Sequence, residues 1–135
     1  MVIKLLVIIA LAGVLTGCGR ANEGKEPGLE QADKTFQQIT QEVAKNMMEQ
    51  ENIIILDVRE EYEYADGHIQ DAVLLPLGSI KKEAETMIPD KNTVLLVYCR
   101  SGNRSKAASA DLIDLGYQNV YEFGGIIDWP YEIVK

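Results

Sequence analysis

A cysteine stands where an apolar run of the sequence gives way to a polar, glycine-containing segment. Residues 94–98 are apolar or aromatic, Cys99 follows, and the next six residues are Arg100, Ser101, Gly102, Asn103, Arg104 and Ser105. A strand that ends in a tight loop before a helix points several backbone N–H groups at one spot, and that spot stabilises negative charge. The helix dipole and the two arginines act in the same direction. We therefore predict a reactive thiolate at Cys99 and an anion-binding role for residues 100–105.

Apolar runs and helical patterns alternate through the rest of the chain. Runs typical of strands cover residues 36–39, 53–56, 94–98 and 120–123, and helical patterns cover 79–87 and 105–115. A further helix is predicted after Thr40, its N-cap, with a buried face made of Val43, Ala44, Met47 and Met48. Gly116 can end the last helix. This alternation predicts an α/β fold with a parallel sheet and helices on both faces.

Asp57 and Arg59 follow the strand predicted at 53–56. In an open parallel sheet, functional side chains collect at the carboxyl ends of the strands, so this pair is expected at the same edge as Cys99. An Asp-x-Arg pair at a strand end more often fixes loops by charge-assisted hydrogen bonds than it moves protons, because arginine stays protonated. We predict that Asp57 and Arg59 give structural support.

The N-terminal residues have the composition of an export signal. Lys4 supplies positive charge, residues 5–14 are apolar, and a Leu-Thr-Gly segment precedes Cys18. This order resembles the lipobox of bacterial lipoproteins, in which the cysteine receives a lipid and becomes the new N-terminus. We predict a signal peptide at 1–17, a lipid on Cys18, a flexible tether at 18–34 and a folded domain at 35–135, held at the membrane outside the cytoplasm. An ordinary secretory signal is the alternative.

The chain is acidic, with a formal net charge of −8 over 135 residues. This charge argues against a nucleic-acid partner. Arg100, Arg104 and Lys106 nevertheless form a local basic cluster beside Cys99, which would attract a small anion. The chain has two cysteines. If Cys18 carries a lipid, Cys99 has no cysteine to pair with, and no internal disulfide is expected.

Four segments, in order along the chain, resemble the single-domain rhodanese-like family of sulfurtransferases. They are residues 56–60 (LDVRE), 67–76 (GHIQDAVLLP), 98–105 (YCRSGNRS) and 124–129 (GGIIDW). Asp71 is a departure, because family members often have glycine at that position. The resemblance covers most of residues 36–131 and implies a three-layer α/β/α domain with a mainly parallel central sheet.

The resemblance also implies a sulfur-transfer reaction at Cys99. The thiolate takes the outer sulfur of thiosulfate or of a persulfide donor, holds it as a persulfide, and passes it to a thiol or a cyanide-like acceptor. Backbone N–H groups of residues 100–105 cradle the negative sulfur, and Arg100 and Arg104 help to bind the anionic donor. No metal or organic cofactor is implied.

Two assignments stay open besides sulfur transfer. Cysteine phosphatases of the same fold wrap phosphate with a loop one residue longer than the segment between Cys99 and Arg104. The other alternative is a non-catalytic module that binds a partner or senses oxidants. His68, the only histidine, is a candidate general base. Because an ionised thiol needs no base, we predict instead that His68 fixes a turn.

Overall fold

Five parallel strands form the central sheet of the domain. The structure, a computed structural model, describes residues 34–135. The strands are β1 (Gln37–Gln38), β2 (Ile53–Asp57), β3 (Val73–Leu74), β4 (Val94–Cys99) and β5 (Asn119–Gly125). They lie in the order β1-β5-β4-β2-β3, and all four pairings are parallel. The predicted parallel sheet is confirmed, and β4, which carries Cys99, lies at its centre.

Four α-helices connect the strands. They are α1 (Gln41–Met47), α2 (Glu61–Asp66), α3 (Ile80–Met87) and α4 (Asn103–Asp114), and short 3₁₀ helices cover Leu77–Ser79 and Ile126–Asp128. Thr40 caps α1 as predicted, because its Oγ1 accepts a hydrogen bond from the Val43 N–H at 3.2 Å. Beyond α4, Gly116 has a φ of 96°, which lets the chain leave the helix.

The sheet buries a separate apolar cluster on each face. Successive side chains of β2 alternate between the clusters, as a strand requires: Ile54 and Leu56 join one cluster, while Ile53 and Ile55 join the other. The helices supply the remaining layers, with Ile80, Ala84, Ala108 and Leu112 in the first cluster and Ala44 in the second. The predicted three-layer α/β/α architecture is confirmed.

Three local features differ from the prediction. α4 begins at Asn103 and not at Ser105, so part of the predicted loop forms the first helical turn. α2 was not expected, because its sequence EYEYAD has no apolar period, and it begins instead with a capping box between Glu60 and Glu63. Val43 is 44% exposed, since Ala44 is the buried residue of the short helix α1.

The predicted signal peptide at 1–17, Cys18 and residues 18–33 of the predicted tether lie outside the described residues. Within residues 34–135, no helix is both long enough and apolar enough to cross a membrane.

Candidate active site

Cys99 is the last residue of β4, at the carboxyl edge of the sheet, and is 1% exposed. The chain then passes through Arg100 and Ser101 to Gly102, whose φ of 104° lies in the left-handed region that side chains disfavour. α4 begins at the next residue, Asn103, which is exposed. This turn brings backbone N–H groups from the start of α4 towards the sulfur.

Several donors converge on Cys99 Sγ. The Gly102 N–H donates to Sγ at 3.0 Å, and the N–H groups of Ser101 and Ser105 also act on the sulfur. Ser105 Oγ lies 3.4 Å from Sγ. Burial, the largest single influence, raises the pKa of the Cys99 thiol. Hydrogen bonds from Ser105, Gly102 and Ser101 together outweigh burial, so the pKa falls below its ordinary value. The arrangement favours a thiolate, the nucleophilic form of cysteine.

The end of β5 packs tightly against the loop that follows Cys99. A side chain at Gly125 would collide with the backbone of Arg100 and Ser101, so only glycine permits this approach. The Ile127 N–H donates to the Arg100 carbonyl oxygen at 3.2 Å. The Gly-Gly segment of the sequence therefore fixes the conformation of the loop from a distant part of the chain.

The two arginines that the sequence predicts to bind an anion have different surroundings in the structure. Arg104 donates from both terminal nitrogens to the carboxylate of Glu63 in α2, at 2.6 and 2.8 Å. The hydrogen bonds from Arg104 lower the pKa of Glu63 to about 2. Sequence reasoning missed Glu63, which is 41 residues from Arg104. Its one local signal is the capping box with Glu60.

Arg100 is exposed and lines a pocket of about 400 Å³ beside the loop. The other residues that line this pocket are Arg59, Tyr62, Glu63, Asp66, Ile126 and Ile127. Tyr62 and Ile127 are 75% and 59% exposed, so the pocket has an apolar rim. Lys106, the third member of the predicted basic cluster, lines a different pocket on the other side of the loop. Of the two loop arginines, Arg100 is the one that is exposed and lines this pocket.

Asp57 and Arg59 form a closed network at the end of β2. Arg59 Nη2 donates to Asp57 Oδ2 at 2.7 Å, and the Nε and backbone N–H of Arg59 donate to Oδ1 at 2.9 and 3.0 Å. The Tyr98 hydroxyl donates to Oδ2 at 2.7 Å, and Arg59 also donates to the Gly67 carbonyl oxygen at 2.7 Å. Burial, followed by the Asp57 charge, raises the pKa of Tyr98 above its ordinary value. These contacts join two strands and a loop, as structural support requires.

His68 follows the end of α2, and its side chain is held by Tyr64. Its Nδ1–H donates to the Tyr64 carbonyl oxygen at 2.9 Å, and the two rings stack with centroids 3.7 Å apart. The backbone of His68 pairs with Val134. Within residues 34–135, no group of three or more His, Cys, Asp or Glu side chains could hold a metal ion. These contacts hold the segment between α2 and the turn at residues 70–71, so His68 lies beside the predicted turn and not in it.

A family model of the rhodanese-like domain matches residues 40–130, a stretch that holds every element from α1 to the second 3₁₀ helix. The chain belongs to the rhodanese-like family. The matched stretch includes Cys99 and its loop, so the site described above is part of the family domain.

The relatives of this rhodanese-like chain include a named sulfurtransferase and larger proteins of another activity. The thiosulfate sulfurtransferase PspE of Escherichia coli strain K12 is 38% identical over 80 residues, which cover 59% of this chain and 77% of that protein. A tRNA uridine(34) hydroxylase of Photorhabdus laumondii is 31% identical over 101 residues, 71% of this chain but 29% of that protein. A solved structure described as rhodanese with anions from E. coli is 36% identical with a TM-score of 0.58, covering 62% of this chain and 98% of that one.

Proposed function

We propose that this rhodanese-like protein is a sulfurtransferase that carries a sulfane sulfur on Cys99. The observation that carries the proposal is the set of N–H groups of Ser101, Gly102 and Ser105 that converge on a buried sulfur. Such donors stabilise the negative sulfur of a thiolate and then the negative outer sulfur of a persulfide. The activity named for the E. coli relative PspE supports the same class of reaction.

In the first half-reaction, the Cys99 thiolate attacks the outer sulfur of the donor. With thiosulfate, a new S–S bond forms on Sγ, the sulfur–sulfur bond of thiosulfate breaks, and sulfite leaves with the bonding electron pair. Arg100 is exposed at the pocket and can attract the dianion. Arg104 is paired with Glu63, which lines the pocket, so we propose that Arg104 positions Glu63 and does not contact the donor directly.

In the second half-reaction, an acceptor nucleophile attacks the outer sulfur of the persulfide. The bond between Sγ and the outer sulfur breaks, and Cys99 leaves as a thiolate. Cyanide would become thiocyanate, and a thiolate would become a persulfide. The lowered pKa of Cys99 makes it a better leaving group. Because both steps pass between ionised sulfur species, no proton has to come from His68.

The direct test is the intact mass of the full chain before and after treatment with thiosulfate. The chain carries Cys18→Ser, so that Cys99 is its one remaining thiol. We expect the mass of one added sulfur atom, and cyanide should remove it. Cys99→Ser in the same background should gain none, while His68→Ala should retain most of the sulfur transfer if it folds.

Failure to gain sulfur from thiosulfate and from a low-molecular-weight persulfide, with Cys99 reduced and accessible to alkylation, would contradict the proposal. Hydrolysis of a phosphate ester by that protein would then indicate the phosphatase alternative. The absence of both activities would indicate a binding or oxidant-sensing module. A folded but inactive His68→Ala would overturn the structural assignment of His68.

We further propose that Cys18 carries a lipid that holds the domain at a membrane outside the cytoplasm. The support is the sequence pattern of residues 1–18. After expression in a bacterium and cell fractionation, the wild-type chain should sediment with the membranes, and Cys18→Ser should move to the soluble fraction. Retention of Cys18→Ser in the membrane fraction would contradict lipidation, and export without lipid in the wild type would indicate an ordinary secretory signal.

A further inference from the structure

A buried carboxylate of β5 contacts Ser105 Oγ, the same atom that lies close to Cys99 Sγ. Glu122 in β5 is 3% exposed. Its Oε1 lies 2.6 Å from Ser105 Oγ and accepts the Gly124 N–H at 2.8 Å. Its Oε2 accepts from Gln38 Nε2 at 3.3 Å. Neither the sulfur-transfer steps nor the sequence motifs assign a role to this residue.

The Ser105 hydroxyl has more partners than its single proton can serve. Oγ is 2.6 Å from Glu122 Oε1, 2.9 Å from the Gly102 carbonyl oxygen and 3.4 Å from Cys99 Sγ. A distance of 2.6 Å is typical of a hydroxyl that donates to a carboxylate, which is the strongest of these acceptors while Cys99 is a neutral thiol. In that state Oγ presents a lone pair to the sulfur, and the thiol S–H can donate to it.

Ionisation of Cys99 changes its sulfur from a hydrogen-bond donor to Ser105 into a hydrogen-bond acceptor. A thiolate must accept a hydrogen bond, so the Ser105 O–H has to turn from Glu122 to Sγ. That rotation leaves a buried carboxylate without one of its donors, which costs free energy. Glu122 and the Cys99 thiolate therefore compete for one proton, and neither group has to move for the competition to operate.

We propose that Glu122 is a positioning residue that holds the Ser105 hydroxyl proton away from Cys99 and so keeps more of the resting cysteine in its thiol form. The consequence for catalysis rests on the proposed sulfur transfer, in which the thiolate is the attacking form. Glu122 favours the thiol, whereas the backbone N–H groups around Sγ favour the thiolate. The balance between them then sets the pH range in which Cys99 takes up sulfur. It also limits the thiolate available to oxidants at rest.

Other charged groups near the pair come from three helices and from the loop after Cys99. Arg104 of α4 acts on Cys99 by its charge and is itself paired with Glu63 of α2. Lys106 of α4 and Asp128 of the second 3₁₀ helix line the pocket that reaches Glu122, and Arg100 lies in the loop. The side chains that contact this region from β1 and α1 are neutral, namely Gln38 and Gln41. Glu122 is thus distinguished from these groups by its direct contact with Ser105.

The test is the pH dependence of Cys99 alkylation by iodoacetamide in the full chain with Cys18→Ser. This reaction reports thiolate formation whether or not the protein transfers sulfur, so the two proposals can fail separately. Glu122→Gln keeps the side-chain length and an acceptor for the Gly124 N–H. We expect this variant to raise the ionisation constant of the thiol about tenfold, moving the alkylation profile to lower pH. Glu83→Gln, at an exposed position of α3, should leave the profile unchanged.

The coupling through Ser105 is tested by repeating Glu122→Gln in a Ser105→Ala background. We expect most of the shift to disappear there, because the shared hydroxyl is gone. An equal shift in both backgrounds would mean that Glu122 acts by its charge alone and would overturn the proposal, as would an unchanged profile in Glu122→Gln alone. If circular dichroism shows that Glu122→Gln does not fold, the test is the carboxyl ¹³C resonance of Glu122 in the chain that keeps this residue. It should shift with the midpoint of Cys99 ionisation, and a resonance that is flat across that midpoint would overturn the proposal.

Discussion

Two neighbouring strands end at the same edge of the sheet with polar side chains, but their surroundings are opposite. Asp57, at the end of β2, has both carboxylate oxygens occupied by Arg59 and Tyr98. Cys99, at the end of β4, has backbone N–H donors directed at its sulfur and an exposed arginine next to it in the chain. The register pairs Asp57 with Tyr98, so the two ends are adjacent.

The difference shows how one edge of a sheet can be both scaffold and reaction site. The Asp57 network is closed, because Nε and Nη2 of Arg59 and the Tyr98 hydroxyl all meet protein acceptors away from water: Asp57 is 0% and Arg59 5% exposed. The Cys99 cradle is open, because its donors meet a sulfur whose charge would change in the proposed reaction. A closed network contributes to folding, whereas an open one can respond to a ligand.

Substitution of the closed network should give the largest effect on stability. Asp57→Ala leaves the buried guanidinium of Arg59 and the Tyr98 hydroxyl without their acceptor. Loss of one partner of a buried ion pair costs about 3–5 kcal/mol. Urea denaturation should show a decrease in the free energy of unfolding of that size.

Asp111→Ala is the matched control for Asp57→Ala. Asp111 pairs with Lys81 at 3.3 Å, but the Lys81 side chain is 73% exposed, so loss of this pair should cost less than about 1 kcal/mol. Equal effects of the two substitutions would remove the distinction between a closed buried network and an ordinary surface pair.

A substitution in the open cradle should cost less stability than Asp57→Ala, but it should also change the pKa of the Cys99 thiol. Gly102→Ala places a side chain at a φ of 104°, which costs about 1–2 kcal/mol. Relief of that strain would move the Gly102 N–H away from Sγ, so the thiol pKa should rise. Both effects can be measured, the first by denaturation and the second by the pH dependence of alkylation.

Gly116→Ala separates these two effects. Gly116 has a similar φ of 96°, has open space around its Cα, and lies at the far end of α4 from Cys99. We expect a comparable loss of stability with no change in Cys99 alkylation. If Gly116→Ala changed the pH dependence of Cys99 alkylation as much as Gly102→Ala, the change caused by Gly102→Ala would be a general response to destabilisation.

The sequence predicts those parts of the site that are local along the chain. Cys99, Gly102 and Ser105 lie within seven consecutive positions, and the apolar run before them with the helix after them is enough to indicate a nucleophile at a strand end. Asp57 and Arg59 are equally local, because the pair is made two residues apart. The alternation of strands and helices likewise predicts the three layers of the fold.

The parts that the sequence does not predict depend on contacts between distant segments. Glu63 reaches Arg104 across 41 residues, and Glu122 reaches Ser105 across 17. An acidic residue on a short helix or on a strand is usually solvated, and no periodicity distinguishes these two from the other acidic residues. The start of α4 at Asn103 is missed for a related reason, since polar residues in a first helical turn have the composition of a loop.

The Arg104–Glu63 pair is intermediate between the two regions, because it is closed like the Asp57 network but lies at the open site. Glu63→Gln should lower the free energy of unfolding by about 1 kcal/mol at neutral pH, since the Glu63 side chain is 13% and the Arg104 side chain 32% exposed. The pKa of Glu63 is lowered from 4.5 to about 2, so its charge stabilises the fold above pH 4.5. That contribution is lost as the pH falls from 4.5 towards 2. The difference in stability between wild type and variant should therefore shrink over this range.

Glu85→Gln serves as the control for Glu63→Gln. Glu85 pairs with Lys91 at 3.6 Å and its side chain is 60% exposed, so this variant should stay within about 0.5 kcal/mol of wild type. A difference for Glu63→Gln that does not vary with pH would mean that residue 63 acts through packing or helix capping and not through its charge. The Arg104–Glu63 pair would then not belong with the closed networks, and the contrast between the two strand ends would rest on Asp57 and Cys99 alone.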